Sequence, residues 1–110
     1  MTLWDEWHEA MRLMERAVSE ASERGKRFSV KNAAYYARKT EVALILKADG
    51  VPVTLISLIL KGDERVAPLL LEKECAEAEY KAACKAIDVY RDKTRMLYDQ
   101  IKREQSGDAW

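Results

Sequence analysis

The 110-residue chain carries 19 basic and 19 acidic side chains, one histidine and two cysteines, and its length is that of one small domain. Charged residues make up 35% of it and apolar letters 48%, with four glycines and two prolines, which excludes collagen-like, low-complexity and disordered chains and favours long helices. One histidine and two cysteines do not supply the three or four N or S ligands of an ordinary zinc site; no metal and no cofactor is expected.

Thr2 followed by Asp5 is a variant of the capping box, and Gly25 stands where a helix stop belongs, so the spacing predicts a first helix from Leu3 to Arg24. Its inward stripe is read as Trp7, Met11, Met14, Val18 and Ala21. Trp7 and Met14 are expected to be buried on it. Ser29 is the next N-cap candidate. A second helix is expected from Val30 to Asp49, with Ala33, Ala34, Ala37, Leu44 and Ala48 on its inner side and Gly50 as its end.

Pro52 suits a first turn, and the segment Val53 to Lys61 that follows is almost wholly apolar up to Gly62. It reads as a short helix buried between longer ones. A strand fits the same letters, but nothing else in the chain would pair with one. From Ala67 to Glu104 no glycine interrupts the pattern, and Pro68 falls in the first turn. That helix would extend about 57 Å at 1.5 Å per residue, against about 30 to 33 Å for each earlier one. Tyr80, Ile87, Thr94 and Ile101 recur every seven residues, interleaved with Ala76, Ala83, Tyr90 and Leu97, a coiled-coil seam.

The expected fold is therefore all-α: a helical bundle of two medium helices, one short buried helix and one long C-terminal helix with coiled-coil character. It forms a single domain over residues 1–105 with a frayed tail over 106–110. Since neither medium helix covers the long one, Ile87, Tyr90, Thr94, Leu97 and Ile101 are expected to form an oligomer interface with a second copy, a dimer by default.

Three segments carry a resemblance: Gly50-Val51-Pro52-Val53-Thr54-Leu55-Ile56, Lys61-Gly62-Asp63, and Glu79-Tyr80-Lys81-Ala82-Ala83 through Tyr90 to Ile101-Lys102-Arg103-Glu104. Together they are similar to small uncharacterised helical proteins encoded in phages and prophages of Gram-positive bacteria. The likeness spans residues 35–104. It carries no enzymatic assignment over to this chain, and it implies a setting among phage replication and recombination functions, with another phage protein as a candidate partner beside a second copy. Members of that group often end on Glu-Trp-Gly, whereas here Gln105 and Ser106 follow Glu104 and the tryptophan is Trp110.

No catalytic constellation is legible. His8 lies among Asp5 and Glu9 without a nucleophile motif, and Glu72, Glu74, Glu77 and Glu79 have no Glu-x-x-His companion for a di-iron site. No glycine-rich phosphate loop is present. A helix-turn-helix across Val53 to Lys61 and the Gly62-Asp63 turn would offer Arg65 alone as a base reader.

Charge is uneven along the chain: residues 25–50 hold six basic and two acidic side chains, residues 51–79 three and six. Lys26, Arg27, Lys31, Arg38 and Lys39 are interleaved with Phe28, Tyr35 and Tyr36, a combination that single-stranded nucleic acid favours. The same alternation serves antiparallel helices that pair by charge. The expected role is a non-catalytic structural or protein-interaction module acting as a homo-oligomer, the alternative an accessory single-stranded DNA-binding protein. No basic start with an apolar core opens the chain, and no apolar run approaches the roughly 20 residues of a membrane span. Cys75 and Cys84 fall on opposite helix faces and are expected as reduced, small core residues in a cytoplasmic protein.

Overall fold

A computed structural model describes residues 2–107. Among them are three helices and no strand: α1 (Leu3–Ala48), α2 (Val53–Gly62) and α3 (Ala67–Gln105). The all-α class and the bounds of the last two helices agree with the sequence reading. The two medium helices do not, because α1 is one helix of 46 residues that runs through Gly25 and Ser29.

Both expected punctuation marks have other roles. Gly25 lies under the ring of Tyr80, and a Cβ there would sit 3.1 Å from Tyr80 Cε1, closer than most side-chain contacts; the missing side chain admits a ring. Ser29 keeps its hydroxyl inside the helix by donating to the Gly25 carbonyl at 3.0 Å. A glycine in a helix interior costs about 1 kcal/mol relative to alanine, which a long helix tolerates when packing holds it.

The true ends of α1 carry the expected chemistry. At the start, the Thr2 amide donates to Asp5 Oδ2 and the Asp5 amide to Thr2 Oγ1, both at 3.1 Å. At the end, Gly50 takes φ +86°, its amide donates to Lys47 and that of Val51 to Leu46, the paired bonds of a Schellman motif. Leu46 and Val51 then pack side by side against the core.

The chain clusters into two compact units, one joining residues up to Glu23 with those from Lys81 onward, the other spanning Arg24–Tyr80. In the first, α1 and α3 run antiparallel, with Leu13 and Ala17 across a shared groove from Ala86 and Tyr90. Its buried side chains are small: Ala10, Ala17, Ala21, Ala83 and Thr94, with Ile101. Trp7 and Met14 are half-buried and Val18 is exposed, so the inward stripe passes through Ala10 and Ala17 instead.

In the second unit α2 folds back onto the two long helices, and Tyr35, Val42, Ile56, Leu60 and Val66 form the core. Here the expected inner side of α1 is the outer one. Ala33, Ala34, Ala37, Leu44 and Ala48 are exposed, while Tyr35 and Val42 face inward. Half-buried Phe28 and buried Tyr35 and Val42 recur every seven residues, and these larger side chains hold the inward face because they bury more apolar area than alanine. Asp63, the C-cap of α2, accepts from the Arg65 amide at 2.8 Å and from its Nε at 3.0 Å, and its carbonyl accepts from Val66 and Ala67 to start α3. Ser106 and Gly107 form a turn after α3; the rest of the expected tail, Trp110 included, lies outside the described residues.

Candidate functional site

The seven residues singled out for nucleic acid all lie on α1 in the second unit, and most have partners there. Arg27 reaches Glu79 Oε2 at 3.4 Å, Lys31 reaches Glu72 Oε2 at 3.3 Å, and Arg38 stands 4.0 Å from Glu41. Arg24 adds a contact to the Glu79 carbonyl at 3.5 Å. The basic stretch of α1 thus meets the acidic stretch of α3 antiparallel, which is the charge-paired arrangement weighed against nucleic acid in the sequence. Each such exposed pair contributes on the order of 0 to 1 kcal/mol, but together they fix register.

The rings are mostly used for packing. Phe28 stacks on Tyr80 with centroids 6.2 Å apart, and Tyr35 is buried with its ring edge-on to Tyr36 at 5.0 Å. Tyr36 is exposed, Lys26 is exposed without an ion pair among the described residues, and Lys39 is half-buried. Of the nucleic-acid cluster, Lys26, Tyr36 and Lys39 are the members that neither pair with a carboxylate among the described residues nor stack or lie buried in the core, although Lys39 rests against the Tyr35 and Tyr36 rings.

The residues expected at an oligomer interface lie partly or wholly buried within the first unit. Thr94 and Ile101 are 6% and 3% exposed in the single chain, and Ile87, Tyr90 and Leu97 are half-buried. The expectation of a bare seam came from two short helices; α1, at 46 residues against 39 for α3, supplies the cover itself. The outward side of α3 instead carries Val89 and Met96, both exposed.

The largest departure concerns α2. Ile56 and Leu60 point into the core, but Leu55, Leu58 and Ile59 are 46%, 65% and 38% exposed, so the expected buried helix is buried on one side only. Spacings of three and four residues put these three side chains together on one helix face. The face escaped the sequence reading because an all-round apolar pattern is the usual mark of burial.

Groups suited to chemistry are scattered. His8, itself exposed, lies in a ring cluster with exposed Trp4 and half-buried Trp7, centroids 6.2 and 5.1 Å away. Asp5 is held below the usual carboxylate range by the Thr2 hydrogen bonds, and Asp63 is lowered to about 2, chiefly by the Arg65 guanidinium. Cys75 is exposed and Cys84 half-buried, both free thiols, so Cys75 is not the core residue expected. Among the described residues, no three His, Cys, Asp or Glu side chains converge as metal ligands, and no helix is long and apolar enough to cross a membrane. Compared with known protein families, curated proteins and solved structures, the chain matches none.

Proposed function

We propose that this chain is a non-catalytic helical interaction module that works as a homo-oligomer, with the exposed face of α2 meeting the same face of a second copy. The observation that carries this reading is the exposure of Leu55, Leu58 and Ile59 on an element whose only charged residue is Lys61. A two-fold axis across α2 sets each apolar side chain against its own equivalent, the self-complementary contact of a cyclic dimer. Burying a leucine that now stands in water is worth about 1.5 to 3 kcal/mol. The likeness to phage and prophage proteins enters as the setting of this proposal, with a cytoplasmic location. The alternation of buried positions on α3 supports coiled-coil pairing with α1 inside each unit.

Light scattering after gel filtration tests it: the proposal expects about twice 12.7 kDa at micromolar concentration. A parent protein that stays at the single-chain mass at high micromolar concentration overturns the dimer and leaves a different protein, such as another phage protein, as the occupant of α2. Single-stranded nucleic-acid contact, as a proposal, rests on Lys26, Tyr36 and Lys39, since the other basic side chains already face glutamates. Unchanged anisotropy of a labelled single strand at low salt removes it.

A further inference from the structure

One cavity in the second unit combines an apolar interior with uncompensated positive charge. It measures about 440 Å³ and is lined by Tyr35, Lys39, Ser57, Leu60, Lys61, Val66 and Leu70, within the roughly 300 to 1,000 Å³ of small-molecule sites. Leu60, Val66 and Leu70 with the Tyr35 ring make the apolar wall. Lys39, Lys61 and the Ser57 hydroxyl are the polar members, and no acid is among the described lining residues.

The charge around this cavity differs from the rest of the unit. Arg27, Lys31, Arg38 and Arg65 each have a carboxylate within 4.0 Å. Lys39, Lys61 and Lys73 have none among the described residues. Lys39 Nζ stands 5.6 Å from the Tyr35 ring centroid and 5.9 Å from that of Tyr36, and Lys73 Nζ stands 5.1 and 5.3 Å from the same two. Two ammonium groups share two rings, and a ring face answers a cation far less fully than a carboxylate does. Lys61, in the last turn of α2, brings a third positive charge to the rim. A concave, low-dielectric wall beside unpaired cations strengthens attraction for an anion.

We propose that this cavity binds a small amphipathic anion: a phosphate monoester or carboxylate head held by Lys39, Lys61 and the Ser57 hydroxyl, with an apolar tail or ring laid on Leu60, Val66, Leu70 and Tyr35. The site is independent of self-association, because its lining does not include Leu55, Leu58 or Ile59.

Isotope-labelled full-length protein titrated with octyl phosphate below its micelle-forming concentration provides the test. Saturable chemical-shift changes are expected at Tyr35, Ser57, Lys61 and Val66. Octyl glucoside, which keeps the tail, and inorganic phosphate, which keeps the head, should each bind about tenfold more weakly. Octanoate should compete with octyl phosphate. Replacing Lys39→Gln and Lys61→Gln together should weaken octyl phosphate about tenfold with the helical circular-dichroism signal unchanged; Leu70→Gln, on the apolar wall, should weaken it with both lysines in place. Equal binding of octyl glucoside, shifts confined to the Leu55, Leu58 and Ile59 face, or unchanged affinity in the lysine variant overturns the site. Association with vesicles of phosphatidylcholine and phosphatidic acid that octyl phosphate does not displace would also overturn it, since the anion would then be read as a membrane surface and not in this cavity.

Discussion

The two compact units solve the same problem, a long helix against a long helix, with different materials. In the first, Ala10, Ala17, Ala21 and Ala83 are the buried apolar positions alongside Ile101, and two helices alone leave Leu13, Met14, Ile87, Tyr90 and Leu97 half in water. In the second, a third helix closes over Tyr35, Val42, Ile56, Leu60 and Val66. Small residues let backbones approach but remove little apolar surface from water. The difference places the tolerance for added bulk and the tolerance for lost bulk in opposite units.

The largest effect is therefore expected in the second unit. Leu60→Ala opens a void where the side chain is 5% exposed and should cost about 2 to 5 kcal/mol in urea unfolding. A loss well under 1 kcal/mol would mean that α2 is not held by this core. The opposite change belongs to the first unit: Ala17→Leu forces bulk into a close approach and should cost about 1 to 3 kcal/mol. If Ala17→Leu stabilises, the alanine seam is slack and the contrast between the units weakens.

Gly25→Ala is a finer probe, since helix propensity favours alanine by about 1 kcal/mol while its Cβ would press on Tyr80 at 3.1 Å. The two effects oppose, and the net change in stability should stay below about 1 kcal/mol. Coupling with Tyr80→Leu, which removes the ring, should turn Gly25→Ala stabilising; an unchanged sign would show that the ring does not set the glycine.

The smallest effect is electrostatic. Asp63 has its carboxyl lowered from 3.8 to about 2 by Arg65, so its contribution to stability is complete above the unfolded value and is lost as pH falls from about 3.8 to about 2. Asp63→Asn should flatten the acid limb of a stability profile over that window. Its effect at neutral pH is the loss of a hydrogen-bonded turn, not of a titration.

The contrast between units also explains what was legible in the sequence. The long uninterrupted run of α3 and the Thr2–Asp5 cap depend on local pattern alone, and both are where the residues put them. Gly25 does not end the helix because its role is set by Tyr80, 55 positions away in the chain, and a glycine that admits a ring has the same letter as one that ends a helix. The inner face of α1 beyond it depends on the same residue: with the helix restarted at Ser29, the alanines form a plausible stripe, whereas the continuous helix turns Tyr35 and Val42 inward. The lysines around the 440 Å³ cavity come from all three helices, so no single window contains them.

Two double variants compared at equal concentration test the central claim, that α3's seam is satisfied inside the chain and α2 is the face left for a second copy. Leu55→Glu with Leu58→Glu should bring the sedimentation-equilibrium mass to 12.7 kDa with helical content retained, and Leu97→Glu with Ile101→Glu should destabilise the folded chain itself, because Ile101 is 3% exposed and an unpaired carboxylate there is costly. The reverse result, a well-folded monomer from the Leu97 and Ile101 pair and an intact dimer from the Leu55 and Leu58 pair, would contradict the account and return the interface to α3.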